Sequence, residues 1–196
     1  MNHGKFVLSQ LMEFVSAYQF NKCVKRYHGL YRTRKLSCYD QFLSMTFGQL
    51  THRESLRDIV NCLGSQKESL YHLGFSAEIY RSTLAEANEK RDWRIYRDFA
   101  EVLISQARKL YCDDKEFDLN LSGACYAIDS STIELCLNIF QWAKLKTVRA
   151  AIKLNLQLDL KGNLPTFFTL TSGKEPDVKF LDDIDFESGA YYIMDR

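Results

Sequence analysis

The spacing of the apolar residues changes near residue 120, and this change predicts two kinds of structure in one chain. Before it, apolar residues recur mainly every three or four positions, as in residues 6–18 and 93–111, which is helical spacing. After it, residues 124–128, 164–171 and 190–194 are short apolar runs, which are typical of strands. The predicted fold class is therefore α+β or α/β, with an all-α region followed by a mixed sheet.

Three segments follow from this pattern. Residues 1–75 are predicted to form a helical domain, and residues 76–118 are predicted to form connecting helices that end in an acidic linker. Residues 119–196 are predicted to form the sheet domain. A length of 196 residues suits one large domain or two small ones, and no repeat or Ser/Gly-rich linker is visible.

The net charge of +1 conceals an uneven distribution of charge along the chain. Residues 1–64 contain nine Lys or Arg and four Asp or Glu, whereas the remaining residues are net acidic. A basic N-terminal third joined to an acidic remainder suggests a module that binds a polyanion such as DNA. A solvated basic surface without a ligand is the alternative that charge alone leaves open.

The stretch at residues 22–40 interleaves cations with tyrosines. Cations contact phosphate groups, and tyrosines add hydroxyl contacts or stack on bases. Gly29 permits a turn within the stretch. Together with the helices that follow, this region supplies the candidate DNA-binding residues Lys25, Arg26, Arg32, Arg34, Lys35, Arg53 and Arg57.

Two helices are predicted after this stretch, ending near residues 50 and 63. Ser37 is expected to cap the first together with Asp40, and Thr51 is expected to cap the second together with Glu54. A tight turn between the two helices fits a helix-turn-helix geometry. The alternative is a helical hairpin that binds nothing.

Two aspartates end predicted strands in the C-terminal region. Asp129 follows the strand at residues 124–128, and Asp195 follows the strand at residues 190–194. Carboxylates on adjacent strands can converge on a divalent cation, and Mg²⁺ commonly binds one or two carboxylates together with water and phosphate oxygens. The pair therefore predicts a site for a divalent cation such as Mg²⁺. The alternative is that each aspartate only caps the turn after its strand.

The cysteines and histidines do not predict a zinc site. The six cysteines include no CxxC pair, and the four histidines form no HExxH-like pairing. The first residues lack the apolar core of a signal peptide, and no run of about 18 apolar residues occurs. The protein is therefore predicted to be cytoplasmic, with reduced thiols and no membrane span.

Several segments taken together resemble a known family. They are KFVLSQLMEFV and RTRKLSCYDQFLSMTFGQLTHRESLRDIV in the helical region, and YAIDSSTIELCL, AIKLNLQLDLKGNLPTFF and YYIMDR in the sheet region. In this order they resemble the insertion-sequence transposases with an RNase H-like catalytic core, in the branch with a Tyr-Arg-Glu-Lys signature. The resemblance covers essentially the whole chain.

The resemblance implies a DDE-type transposase of the bacterial cytosol or nucleoid, which binds double-stranded DNA at transposon ends and at the target. By position, Asp129 and Asp195 are the first two catalytic aspartates, which would hold Mg²⁺ or Mn²⁺ for DNA strand cleavage and transfer. The helical domain would bind the terminal inverted repeats. Arg196 is expected to contact phosphate, and a strand-end cation is the alternative role.

Three departures from the family pattern qualify these expectations. Asn155 and Pro176 stand where relatives usually have histidines, and no Tyr-Arg-Glu-Lys segment with a third acid follows Arg196. The chain is therefore expected to be a truncated copy that neither cleaves nor joins transposon ends alone.

Two alternatives to this expectation remain open. One is a non-catalytic DNA-binding fragment that competes with full-length enzyme, and a weaker one is a self-contained RNase H-like nuclease. For a truncated copy, an incomplete sheet with exposed apolar surface and open strand edges predicts self-association.

Overall fold

The chain divides into two compact units, Met1–Leu103 and Ile104–Arg196. The computed structural model describes residues 5–31, 33, 35–111, 123–135, 144–145 and 149–195. Helices form the first unit and a mixed sheet dominates the second, which confirms the predicted α+β class. The division into three segments stays a prediction.

Seven α-helices precede the sheet in the described residues. They are α1 (Val7–Met12), α2 (Ala17–Arg26), α3 (Cys38–Leu50), α4 (Leu56–Gly64), α5 (Leu70–Leu73), α6 (Arg81–Lys90) and α7 (Arg94–Tyr111), with a 3-10 turn at Lys67–Ser69. The helix predicted at residues 6–18 is two helices, because Ser16 caps α2 by accepting a hydrogen bond from the N–H of Gln19. No helix among the described residues has both the length and the apolar content to cross a bilayer.

Asp40 caps α3 as predicted, and it also fixes a distant turn. Ser37 and Asp40 form the complete capping box, in which the N–H of Asp40 donates to Ser37 Oγ at 2.9 Å and the N–H of Ser37 donates to Asp40 Oδ2 at 3.3 Å. The N–H and the hydroxyl of Ser76 also donate to the Asp40 carboxylate, at 2.9 and 2.5 Å. These bonds hold the turn at Ser76 against the start of α3, and the next long helix, α6, begins only at Arg81.

The prediction that Thr51 caps α4 is wrong. Ser55, not Thr51, accepts the hydrogen bond from the N–H of Asp58, at 3.1 Å. The Thr51 hydroxyl instead donates to the carbonyl of Phe47 at 2.6 Å, at the end of α3. The connection between α3 and α4 consequently extends from Thr51 to Ser55 and is longer than the predicted turn.

Two apolar clusters form the core of the first unit. One contains residues of α1, α3, α4, α5 and α6, including the fully buried Leu43 and Leu84. The other joins α2, α3 and α7 around Phe20, whose ring packs edge-to-face on Phe99 with centroids 5.0 Å apart. Because α3 contributes to both clusters, it is the central helix of the unit.

Asp98 on α7 is a buried carboxylate that accepts hydrogen bonds from three side chains. Its Oδ2 accepts from Arg26 at 2.5 Å and from the Tyr27 hydroxyl at 2.7 Å, and its Oδ1 accepts from Arg97 at 2.7 Å. Burial alone would raise the pKa of Asp98, but these bonds outweigh it and hold the pKa below its usual value. The interaction ties the C-terminal end of α2 to the first turns of α7.

The sheet of the second unit contains five described strands. They are β1 (Cys125–Leu135), β2 (Lys144–Leu145), β3 (Arg149–Asp159), β4 (Leu164–Ser172) and β5 (Tyr191–Met194), with α8 (Val178–Asp182) between the last two. β3 pairs antiparallel with β1, β2 and β4, while β5 pairs parallel with β1. β1 continues beyond its predicted end, so Asp129 lies within this strand and not after it.

The two faces of the sheet differ in what covers them. On one face, Phe180 of α8 stacks on Phe167 with ring centroids 5.6 Å apart, and the Tyr126 hydroxyl donates to Glu187 at 2.8 Å. Because successive residues of a strand point to opposite faces, every second side chain lies on the other face, which is mainly apolar and partly exposed. Its most exposed apolar members are Ile133, Leu170, Tyr191 and Ile193.

We expect Asp98→Asn to lower the free energy of unfolding of the helical unit at pH 7 by about 2 kcal/mol, because charge-assisted hydrogen bonds are lost. The folded-state pKa of Asp98 is lowered, so its stabilisation is present above the unfolded pKa of about 4 and is lost as the pH falls through the folded value. Urea unfolding at neutral and acidic pH, followed by helical circular dichroism, measures both effects.

The matched control is Asp92→Asn, since Asp92 pairs with the half-exposed Arg94. It should cost about 0.5 kcal/mol. Equal destabilisation by the two variants would contradict the role assigned to Asp98.

Gly48→Ala is expected to destabilise the packing of α3 on α4. A Cβ at Gly48 would lie 2.4 Å from Cδ1 of Ile59, and such overpacking costs about 1–3 kcal/mol. Gly64→Ala is the control, because its Cβ would meet nothing within 4 Å and the helix gains propensity. Thermal unfolding should move in opposite directions for the two variants, and a neutral Gly48→Ala would contradict the close approach.

Candidate nucleic-acid interface and carboxylate pair

An open groove on the first unit carries part of the segment predicted to contact DNA. It lies between the C-terminal end of α2, the connection that follows it, and α6, and its volume is about 1250 Å³. Four Lys or Arg and two Asp or Glu are among its lining residues, so the groove has an excess of positive charge. Its cationic and aromatic lining includes Lys25, His28, Tyr31, Lys35, Lys90 and Arg91.

The end of α2 shapes one wall of this groove. His28 adopts a left-handed conformation with φ 52°, and the N–H of Gly29 donates to the carbonyl of Val24 at 2.8 Å, as in a Schellman motif. A Cβ on Gly29 would lie 2.7 Å from Cδ1 of Ile95, so glycine allows the turn to approach α7. The predicted turn is present, but its left-handed residue is His28.

The cations predicted at residues 22–40 differ in whether their charge is already paired. Lys25 and Lys35 are exposed and have no ion pair within the described residues. Arg26 donates to the buried Asp98, so its guanidinium already holds two helices together. Their role as DNA contacts stays a prediction. Three further predicted contacts, Arg32, Arg34 and Arg196, lie outside the described residues.

Two cations of the groove were missed by the sequence prediction. Lys90 is exposed and pairs with Glu86 across one helical turn at 2.6 Å. Arg91 donates to the carbonyl of Ser37 at 2.8 Å and to the side chain of Gln41 at 2.7 Å, so it fixes the start of α3. Only the packing of α6 beside residues 25–36 brings these cations into the groove, and no local sequence pattern signals that packing.

The helix pair α3 and α4 offers a second basic surface. Arg57 lies one turn before Asn61 on the exposed side of α4, and Arg57 has no ion pair in the described part of the chain. Arg53 lies 3.7 Å from Asp58, with its Nε donating to the Thr51 hydroxyl at 3.2 Å. Arg57 is therefore the less constrained of the two predicted contacts.

The register of β1 and β5 brings Asp129 and Asp195 together. The parallel pairing ends with Ile128 opposite Met194, and the next residue along each strand is an aspartate. Neighbouring strands lie about 4.8 Å apart, so the two carboxylates are within reach of one cation. Both residues are exposed. The predicted convergence of the aspartates on adjacent strands agrees with this register.

The donor chemistry of this pair suits Mg²⁺ or Mn²⁺. These ions take carboxylate oxygens and keep several water ligands, so two exposed carboxylates leave positions for phosphate oxygens. No group of three or more His, Cys, Asp or Glu suited to a metal occurs among the described residues. The described part of the chain therefore offers two carboxylates to such an ion, Asp129 and Asp195.

A second polar cluster lies on the opposite face of the sheet. The Nζ of Lys153 and the hydroxyl of Ser130 both donate to Asp177 Oδ1, at 2.7 and 2.9 Å. The hydrogen bond from Lys153 is the largest cause of the lowered pKa of Asp177. Because Ser130 follows Asp129 on the same strand, alternation separates this cluster from the aspartate pair.

The two positions that depart from the family pattern belong to this opposite face and its covering segment. Asn155 pairs with Ser130 across the sheet, is buried, and donates to the Thr171 hydroxyl at 3.1 Å. The carbonyl of Pro176 accepts a hydrogen bond from the N–H of Lys179 at 3.1 Å, at the start of α8. Neither residue lies on the strand face that carries Asp129.

A family match covers the helical region. Residues 3–76 match the family model described as a domain of unknown function, DUF4372. The matched range includes α1 to α5 and every predicted DNA-contacting cation except Arg196. The helical unit therefore carries a DUF4372 domain. No curated protein and no solved structure matches the chain.

We expect the purified chain to bind Mn²⁺ weakly, and Asp129→Asn or Asp195→Asn to weaken this binding by roughly tenfold or more. A unit charge about 4 Å from a divalent cation contributes about 2 kcal/mol even in water. Paramagnetic broadening of side-chain NMR signals measures the affinity without an activity assay. Asp185→Asn removes an exposed carboxylate elsewhere in the unit and serves as the control. Equal affinity of all three variants would contradict the site.

Proposed function

We propose that this protein is a transposase-type DNA-binding protein. Its helical unit binds double-stranded DNA at transposon ends, and Asp129 and Asp195 contribute carboxylates for metal-dependent strand cleavage and transfer. The observation that carries the proposal is that the groove lysines and the family match occupy the same part of the chain. The unpaired lysines of the groove lie inside the range that matches DUF4372, a domain found in transposase-like proteins.

The electrostatics of the helical unit support DNA as the ligand. Lys25 and Lys35 present two charges to one open groove, and neither is neutralised by an acid in the described residues. Each phosphate contact releases condensed counterions from DNA, so unpaired cations contribute more to binding than cations already held in ion pairs. Arg26 is tied to Asp98 and is expected to contribute less.

The carboxylate pair supports the catalytic part of the proposal. When bound there, Mg²⁺ would polarise phosphoryl oxygens and stabilise developing charge during phosphoryl transfer. Asp129 would hold its side of the site rigidly, because it lies inside β1 and pairs with Leu156 of β3. Asp195 follows directly on β5, so its position is fixed by the pairing of that strand with β1.

The absence of a third ligand among the described residues favours a second candidate function. With two carboxylates alone, the chain would bind transposon ends without cutting them and would compete with a complete transposase. Incubation of the purified chain with a pre-nicked end in Mg²⁺ or Mn²⁺ separates the two functions. Strand transfer would support the enzyme, and stable binding without transfer would support the competitor.

Lys25→Gln and Lys35→Gln are expected to weaken binding to every duplex sequence. Each should also reduce the slope of log affinity against log salt by about one, which corresponds to the loss of one phosphate contact. Arg81→Gln is the matched control, because this exposed cation lies on the side of α6 turned away from the groove residues Thr83, Glu86 and Lys90. Fluorescence anisotropy over a salt series measures affinity and slope together.

Two results would contradict the proposed DNA binding. One is an equal effect of Arg81→Gln and the groove variants, which would mean that only net charge matters. The other is equal affinity for duplexes with terminal inverted-repeat sequences and for a random duplex at physiological ionic strength, which would rule out recognition of transposon ends.

A further inference from the structure

The outer edge of β4 is a long strand edge without a partner in the described residues. β4 pairs with β3 on one side, and no described strand pairs with its other side. Its nine residues contrast with the four of β5, which borders the sheet beyond β1. Such an edge presents a row of backbone N–H and C=O groups that another strand can bind.

The sequence of β4 lacks the features that commonly protect an edge strand. Residues 166–172, TFFTLTS, contain no charged residue, no proline and no glycine, and they are rich in strand-forming types. Natural edges are often blocked by lysine, proline or a bulge. Here Pro165 and the register irregularity, which leaves Thr166 without a partner residue on β3, lie at one end, so residues 167–172 stay regular and open to pairing.

Side chains on both faces of β4 are partly exposed. Phe167, on the face covered by α8, is 37% exposed, and Leu170, on the apolar face, is 40% exposed. A strand laid beside β4 would cover part of each side chain. The contact would therefore combine backbone hydrogen bonds with the burial of apolar surface.

We propose that two copies of this chain associate by antiparallel pairing of β4 with β4, which joins their sheets across a two-fold axis. In such a contact, residue i faces residue j and residue j faces residue i. Thr169 is the midpoint of residues 167–171, the regular part of this edge that a symmetric pairing uses, so it faces Thr169 of the second copy. Phe168 then faces Leu170 of the second copy, and both kinds of pair stabilise antiparallel strands.

A second copy is the partner that fits this edge, because β4 paired with itself opposes no two charges. The two-fold axis also closes the contact, since each β4 edge is then satisfied and no further copy adds to it. Asp129 and Asp195 lie on the β1–β5 side of the sheet, with β3 between them and the contact.

Sedimentation of the full chain over a micromolar concentration series tests this contact, and we expect a concentration-dependent dimer. Thr169→Lys and Thr169→Glu should each abolish the dimer, because like charges would then face each other across the axis. An equimolar mixture of the two variants should restore a heterodimer, because opposite charges meet. Ile193→Lys adds a lysine to the exposed edge strand β5 and should leave the dimer unchanged.

Any of four results would overturn the proposal. They are a monomeric wild type throughout the series, a Thr169→Lys dimer as stable as the wild type, loss of the dimer in Ile193→Lys, and a mixture of folded Thr169 variants that stays monomeric. If the Thr169 variants do not fold, Leu170→Lys at an exposed position replaces them. It should weaken the dimer by roughly fivefold or more, because both symmetry-related pairs of Leu170 with Phe168 are lost, and unchanged association would overturn the contact.

Discussion

The buried carboxylate of Asp98 organises the basic side of the helical unit. A buried charge is costly unless partners satisfy it, and Asp98 is satisfied by Arg26, Tyr27 and Arg97. Two of these donors stand at the C-terminal end of α2, so the bond fixes that end against α7. The groove between α2 and α6 depends on this fixed end, because its wall continues directly into the turn at His28.

The ion pair with Asp98 distinguishes Arg26, which has a structural role, from the neighbouring cations that are available to a ligand. Arg26 and Lys25 are neighbours in the sequence, and charge counting treats them alike. In the folded unit, Arg26 is bound to Asp98, while Lys25 faces the open groove. The proposed DNA interface consequently includes fewer residues of the basic segment than the sequence predicted, and it also includes Lys90 of α6.

In the second unit, strand alternation places the aspartate pair on one face of the sheet and the polar residues beneath α8 on the other. Asp129 and Asp195 share one face through the parallel register of β1 and β5. Ser130, Lys153 and Asn155 lie on the other face, beneath the segment that carries α8. A shift of one residue in the register would exchange these sets, so the pairing of β1 with its neighbours decides which polar groups share a face with Asp129 and Asp195 and which lie beneath α8.

The sequence by itself determined the class and order of the elements, because the hydrophobic period is a local property. Helical spacing placed α7, short apolar runs placed β4 and β5, and the Ser37–Asp40 capping box placed the start of α3. The sequence also showed that both aspartates follow apolar segments, while their role as a metal site stays a prediction. Tertiary structure alone decided the rest. Ser76 donates to Asp40, Arg26 donates to Asp98, and the packing of α6 places Lys90 in the groove. Each of these contacts joins residues that are distant in the chain, so no local sequence pattern encodes it.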